Sequence, residues 1–348
     1  MQYSRDRKYN VAILGATGMV GQQFIQILQE RKFPISNLRL LASDRSAGKV
    51  INFNGTDIIT EEVNANSFKE VEIAFFAVGS DVSRYYAPIA NKQGTIVIDN
   101  SAAFRMDTRV PLVVPEINPE DIAKHNGIIS NPNCSTIQMV AALFPLHKVN
   151  PIKRIVVSTY QSVSGTGKAA VVELENQARL ALDGKEVIPH VYPHQIAFSI
   201  LPEIDVFLDN DYTREEWKMV EETRKIMHAP NIGISATCAR VPVFNSHCES
   251  INVEFTEPIS PDTARQILAN APGIKILDEP IVSLYPLPTS VAGTDEVFVG
   301  RIRQDFSTIN GLVMWVVADN IRKGAALNAV QIAETMIQKE QDQNEEQG

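Results

Sequence analysis

Cys134 stands in Asn131-Pro132-Asn133-Cys134-Ser135-Thr136, between a strand-like run, Gly127-Ile128-Ile129-Ser130, and a helical pattern from Ile137 to His147. A thiol on the first turn of a helix meets the positive end of the helix dipole and unpaired backbone N–H groups. Both favour the thiolate, which is the nucleophilic form. Most free cysteines are small buried hydrophobes; the polar neighbours Asn133, Ser135 and Thr136 and the helix start set this one apart. Such a nucleophile needs a proton carrier that works near neutral pH and a clamp for anionic groups. Both residue types occur in Cys238-Ala239-Arg240-Val241-Pro242-Val243-Phe244-Asn245-Ser246-His247-Cys248-Glu249-Ser250. Cys238 and Cys248 lack the helix-start context and are read as structural.

A second chemical feature lies at the start of the chain. Gly15-Ala16-Thr17-Gly18-Met19-Val20-Gly21 follows a strand and opens a helix. Glycines there permit a tight turn and close approach of backbone N–H groups to a pyrophosphate, which the helix N-terminus also favours. Gly15, Thr17, Gly18, Met19 and Val20 are the expected contacts. The end of the next strand, Ser43-Asp44-Arg45-Ser46, bears on cofactor choice. Arg45 with Ser43 and Ser46 suits the 2′-phosphate of NADP, whereas Asp44, if turned to the ribose, suits NAD.

The elements that must hold these residues follow from hydrophobic patterning. In the first third, Asn10–Leu14, Leu38–Ser43, Ile73–Val78 and Thr95–Asp99 read as buried strands, with a helix over Val20–Leu28 and another seeded at Ser80-Asp81. Continuous apolar runs separated by helices predict a parallel, Rossmann-like α/β sheet covered on both faces. After Cys134 the rhythm changes. Strands are expected at Ile152–Tyr160, Ile232–Val241, Ser250–Thr256, Asp295–Gln304 and Leu312–Val317. Helices are expected at Lys168–Leu182, Glu215–Met227, about Pro261–Ala269 and Asp319–Gln338, with a frayed tail from Glu340. This describes an α+β catalytic and dimerisation domain with a largely antiparallel sheet. The expected division is residues 1–133, plus the C-terminal helix at about 319–340, for the nucleotide domain and 134–318 for the second.

Composition limits the function classes. The chain has 348 residues, a net charge of -9 and no basic run, which argues against nonspecific nucleic-acid binding. No apolar run is long enough to span a membrane, and no signal-peptide core precedes the first strand. Three cysteines form neither a disulfide framework nor a zinc pattern, so no metal is expected. A cytoplasmic enzyme is the expectation.

The separated motifs Asp99-Asn100-Ser101-Ala102-Ala103-Phe104-Arg105-Met106, Asn-Pro-Asn-Cys-Ser-Thr, Tyr160-Gln161-Ser162-Val163-Ser164-Gly165-Thr166-Gly167 and Cys238 to Ser250 occur in one order. In that order the chain resembles the aspartate-β-semialdehyde dehydrogenase family from about residue 10 to 340. It is most similar to the shorter bacterial form, with Val113-Val114-Pro115-Glu116, Val317-Ala318-Asp319-Asn320 and Lys323-Gly324-Ala325-Ala326. The resemblance implies NADP-dependent reductive dephosphorylation of L-aspartyl-4-phosphate to the semialdehyde, a step toward lysine, threonine, methionine and diaminopimelate, in a homodimer. It implies Cys134 as nucleophile, His247 as general acid/base and Gln161 as the group that orients substrate. It further implies Arg240 on the α-carboxylate, Arg105 on the phosphate, Glu222 on the ammonium and Lys225 on the phosphate, with Asn133 beside the substrate. Ser164, Gly165 and Asn320 fall on the cofactor side. N-acetyl-glutamyl-phosphate reductase shares the thioester chemistry but has a different cysteine context and no free ammonium to recognise. A glyceraldehyde-3-phosphate type dehydrogenase would carry Cys-Thr-Thr-Asn, which is absent. A nucleotide sensor without catalysis would not need the intact Cys134, Gln161, Arg240 and His247 set.

Overall fold

The computed structural model describes residues 7–347; Met1 to Asp6, on which the expectation of no signal-peptide core partly rests, and Gly348 lie outside them. The chain falls into two compact units, residues 1–132 with 325–348, and residues 133–324. The crossing out of the first unit thus comes one residue before the expected boundary. The return comes at Ala325, so Asp319 and Asn320 belong to the second unit.

In the first unit the strands are β1 (Tyr9–Leu14), β2 (Ile35–Ala42), β3 (Val50–Phe53), β4 (Thr56–Ile59), β5 (Glu61–Glu62), β6 (Ile73–Phe76), β7 (Ile96–Asp99) and β8 (Ile128–Ser130). Six form a parallel sheet in the order β5-β2-β1-β6-β7-β8. Alternation along each strand splits its apolar side chains between two cores. Val11, Ile13, Leu40 and Phe75 meet Phe24, Ile27 and Leu28 of α1 (Met19–Glu30). Ala12, Leu14, Leu41 and Phe76 meet Ala87 and Ala90 of α2 (Ser80–Lys92). The last helix of the chain, α8 (Leu327–Gln347), adds Val330, Ala333 and Ile337 to the α1 core, and Arg31 grips its buried Glu334 through two bonds of 2.7 and 2.6 Å. Sheet order reverses at β1 and β6, the place where open α/β sheets bind nucleotides. β3 and β4 make a hairpin closed by Asn54-Gly55, both with positive φ (50° and 82°), a tight-turn pair the periodicity reading passed over.

The second unit begins at the nucleophile candidate. Its helices are α3 (Cys134–Val149), α4 (Lys168–Leu182), α5 (Arg214–Ile226), α6 (Pro261–Ala269) and α7 (Pro288–Val291). Its strands are β9 (Ile152–Gln161), β10 (Gly233–Arg240), β11 (His247–Phe255), β12 (Ile274–Ile276), β13 (Val297–Asp305) and β14 (Gly311–Ala318), ordered β10-β9-β11-β14-β13-β12. The three central pairings are antiparallel and the two outer ones parallel, so the sheet is mixed. Every residue from Ser135 to Leu143 is buried, which is why α3 is mostly apolar all round rather than striped. Two expectations about the chain end change. Asp319 is not in a regular helix: it caps the backbone N–H groups of Ile321 and Arg322, and a π-helical turn, Arg322–Ala326, precedes α8. The polar tail expected to fray continues α8 to Gln347. No helix among the described residues is long and apolar enough to cross a membrane.

Candidate active site

Four of the expected residues gather in the second unit. Cys134 is the first residue of α3, after the N-cap Asn133. Gln161 ends β9 beside Arg240, which ends β10, in a register that places the two as direct partners. His247 opens β11 instead of preceding it, because it already pairs with Ala318 of β14. Ser246, just before it, holds φ at 73°, a left-handed turn that costs a non-glycine residue energy and sets where the strand begins. Gly324 in the π-helical turn lies against the cysteine: a Cβ there would come within 2.9 Å of the Cys134 Cβ.

Hydrogen bonds tie these residues together. The Asn133 backbone N–H donates to Glu222 Oε2 at 2.7 Å, and its Nδ2 donates to Glu215 Oε1 at 2.7 Å. Gln161 Nε2 donates to the same Glu215 oxygen at 3.0 Å. Lys218 Nζ lies 3.3 Å from the other Glu215 oxygen and 3.0 Å from Asp205. Burial alone would raise the Glu215 acid, but Lys218, Asn133, Gln161 and Arg240 outweigh it and hold the carboxyl at about 2. The carboxylate that meets Gln161 is therefore Glu215, paired with Lys218, two turns before Glu222 and Lys225, the pair expected to face the substrate. Glu222 instead accepts the N–H at the start of α3, and Lys225 lies half-buried a turn further on. Glu215 and Glu222 are seven residues apart and share a helix face, so spacing alone did not separate them.

Two buried polar atoms at this place have no protein partner among the described residues: Arg240 Nε and His247 Nε2. Arg240 donates through Nη1 to the Ser162 carbonyl at 2.7 Å. His247 Nδ1 accepts the Ser162 backbone N–H at 3.1 Å, so the neutral ring carries its proton on Nε2, the unpartnered atom. Gly165 borders both: a Cβ there would stand 2.9 Å from Arg240 Nη1 and 3.3 Å from His247 Nε2. Burial first, and then the Arg240 charge, push the His247 pKa down to about 3. The expected ordinary imidazole pKa does not hold, and the ring is neutral at working pH. Behind it, Asn320 Oδ1 accepts the Ser246 N–H at 2.9 Å and the Ser162 hydroxyl at 3.0 Å, while Nδ2 donates to Ser164 Oγ at 3.0 Å. That leaves Asn320 one N–H for any cofactor.

The remaining thiols are buried. Desolvation raises Cys238 well above its ordinary value and pushes Cys248 up to about 12. Cys134 is partly exposed.

In the first unit, the glycine loop is built by distinct steric needs. Gly15 has φ of 88°, and a Cβ there would lie 2.3 Å from the Ala77 carbonyl oxygen. A Cβ on Gly21 would lie 2.1 Å from the Gly15 oxygen, so helix and loop touch backbone to backbone. At Gly18 the nearest atom is 3.4 Å away, and no side chain caps α1. The protein's own packing leaves room at Gly18, which fits the approach of a pyrophosphate to Thr17, Met19 and Val20. Ser43, Asp44 and Arg45 are exposed on the turn after β2, with Ser46 partly covered. Arg105 is buried; its Nε donates to the Asn131 carbonyl at 3.0 Å and its Nη2 to the Asn100 carbonyl at 2.9 Å.

A nucleotide-type sheet followed by a unit with a thiol, an arginine and an imidazole has the build of a two-part dehydrogenase. The signature described as "Semialdehyde dehydrogenase, NAD binding domain" matches residues 10–125, and "Semialdehyde dehydrogenase, dimerisation domain" matches residues 143–323. An aspartate-semialdehyde dehydrogenase from Aquifex aeolicus is 56% identical over 335 residues, covering 95% of this chain and 98% of its own. One from Bacillus subtilis is 48% identical, with 95% and 98% covered. The crystal structure of aspartate semialdehyde dehydrogenase II from Vibrio cholerae complexed with ASA superposes with a TM-score of 0.94 at 47% identity, covering 96% of this chain and 99% of that one. A Candida albicans enzyme solved with NADP gives a TM-score of 0.73 at 27% identity, with 95% and 98% covered. The chain belongs to the aspartate-semialdehyde dehydrogenase family.

Proposed function

We propose that the chain carries out NADP-dependent reductive dephosphorylation of L-aspartyl-4-phosphate, releasing phosphate and L-aspartate 4-semialdehyde, through a thioester on Cys134. The step feeds lysine, threonine, methionine and diaminopimelate synthesis, and a cytoplasmic homodimer is the form we assign. The observation that carries the reading is the pair of buried, unpartnered polar atoms, Arg240 Nε and His247 Nε2, beside Gly165. A buried guanidinium N–H without an acceptor suits a ligand carboxylate.

The Cys134 thiolate attacks the acyl carbon, the carbon–phosphate oxygen bond breaks, and phosphate leaves. NADPH, when bound, would supply the hydride, and the thioester carbon would become a tetrahedral thiohemiacetal oxyanion on Cys134. His247 presents its Nε2–H where the carbonyl oxygen gains charge. The oxyanion then collapses to the aldehyde as the carbon–sulfur bond breaks and its electron pair returns to sulfur as thiolate, with no net proton transfer. Burial is the larger cause of the depressed His247 value; a substrate carboxylate on Arg240 offsets the smaller part that comes from the Arg240 charge, so the ring gains some basicity when substrate is seated. Gln161 orients the acyl group, with Asn133 beside it. Glu215, already ionised and bonded to Gln161, is the carboxylate we assign to the substrate ammonium, in place of Glu222. Arg105 is assigned to the phosphate, as the resemblance implies, and Lys218 replaces Lys225 as its lysine partner. Ser164, Gly165 and the remaining N–H of Asn320 are assigned to the cofactor.

Absorbance at 340 nm with semialdehyde, phosphate and NADP, run beside NAD, tests the reaction. Cys134→Ser should fold and bind cofactor yet lose nearly all turnover, because a serine hydroxyl is far less ionised than a thiol; wild-type turnover in that variant would sink the proposal. Arg45→Ala should weaken NADP by roughly 1.5–3 kcal/mol and leave NAD nearly unchanged. Equal losses for both cofactors would remove Arg45 from the 2′-phosphate.

A further inference from the structure

On the strand that carries His247 lies a carboxyl group that no step above uses. Side chains alternate along β11, so His247, Glu249 and Ile251 share one face, and α3 packs against that strand. Glu249 is fully buried, opposite Thr159 of β9 and Val316 of β14. Neither of its carboxyl oxygens has a hydrogen-bond partner among the described residues. On α3, one turn beyond Cys134, Gln138 is also buried. Its Nε2 donates to the His247 carbonyl at 3.4 Å, while its Oε1 has no donor. The Gln138 amide lies alongside the Glu249 carboxyl without closing a bond of good geometry.

This leaves a group of buried acceptors short of a donor. An ionised Glu249 would worsen the shortage, since a carboxylate only accepts. A protonated Glu249 would supply one O–H, and the amide that interacts with this carboxyl carries an unpartnered acceptor, Gln138 Oε1, that could take it. Burial raises this acid well above the ordinary carboxylate range; the Gln138 amide opposes it, and the Glu215 charge adds a smaller rise. The titratable groups around it are Glu215 from α5, Cys238 from β10, and His247 and Cys248 from its own strand. From α3, β9 and β14 it meets Gln138, Thr159 and Val316, which do not titrate.

We propose that Glu249 serves as a neutral carboxylic acid that locks Gln138, and through Gln138 the spacing between the helix start bearing Cys134 and the strand bearing His247. It is a positioning residue for the reaction and touches no substrate. The inference rests on the reading of Cys134 and His247 as the reacting pair.

Two variants test it in the full-length protein. E249L keeps much of the bulk and removes the donor; E249Q keeps a donor and cannot ionise. Near neutral pH, E249L should lose about tenfold or more in kcat with KM values within about twofold, and E249Q should stay within about twofold of wild type in both. Wild-type kcat in E249L, or an E249Q as slow as E249L, overturns the proposal. Should E249L fail to fold, melting curves of wild type and E249Q decide. A carboxyl that binds its proton more tightly when folded gives stability that is lost as pH rises. Wild type must therefore lose melting temperature toward alkaline pH more steeply than E249Q, and equal slopes overturn the neutral acid. Cys134→Ser separates the two levels: turnover in that variant sinks the underlying reading, whereas an inactive Cys134→Ser with a normal E249L sinks Glu249 alone.

Discussion

Glu215 and Glu222 show how far side-chain chemistry was legible. A carboxylate with a lysine three residues on was readable on α5, and the sequence holds that pattern twice, two turns apart. Which copy meets Gln161 depends on where the end of β9 lies against the helix, a tertiary fact. The two carboxylates should also fail differently. Glu215→Gln keeps the shape and removes the charge, so the KM for semialdehyde should rise strongly while folding holds. Glu222→Gln weakens the acceptor for the N–H at the start of α3 and should cost about 1–3 kcal/mol of stability, with a smaller change in KM. Steady-state kinetics beside thermal melts check both. A larger KM effect in Glu222→Gln would restore the ammonium role to that residue. The nucleophile itself was legible because strand, turn and helix all lay within a few residues of Cys134. The depressed His247 was not, since its burial and its Arg240 neighbour come from distant strands.

Elements with local stop signals were read closely. Ser260 caps α6 and proline opens it, and the observed helix, Pro261–Ala269, matches the expectation. The start of β11 was misplaced because pairing with Ala318 and the left-handed Ser246 decide it. The glycine loop gives an element-level prediction. Gly21→Ala drives a methyl into the Gly15 carbonyl and the Ala16 backbone, with distances of 2.1 and 2.8 Å. Loop and helix must then separate, so stability and cofactor binding should both fall. Gly18→Ala has 3.4 Å of room. It should melt like wild type and bind NADP at least several-fold more weakly, as fluorescence titration would report. Normal cofactor affinity in Gly18→Ala would mean that the pyrophosphate does not approach this backbone.

At the scale of the molecule, two buried groups in the second unit make folding depend on acid. His247 falls from 6.5 to about 3 and Glu215 from 4.5 to about 2. Below 6.5 the unfolded chain binds a proton at His247 that the folded protein refuses until about 3. Below 4.5 the same holds for Glu215 until about 2. Both stabilising contributions are complete above the unfolded values and are lost as pH falls, so the effects add. Glu249, which holds its proton more tightly when folded, works in the opposite sense above its unfolded value of 4.5, so the test is run in E249Q: there melting temperature should drop steadily from about pH 7 to about pH 4, and adding Glu215→Gln should flatten the lower part of that curve. An unchanged melting temperature over the range would contradict the burial of His247. The two-unit plan was legible in the change of rhythm after Cys134. The mixed sheet order was not, because strand pairing across a sheet leaves no trace in local periodicity.

The unequal thiols have a practical consequence. Cys238 and Cys248 are sealed in the core, where burial raises their pKa values and keeps them as thiols, and Cys134 is partly open at a helix start. The unmodified chain thus already behaves as a single-cysteine scaffold. One equivalent of a maleimide dye should attach at one place, and its emission would report on anything entering the site without an engineered handle.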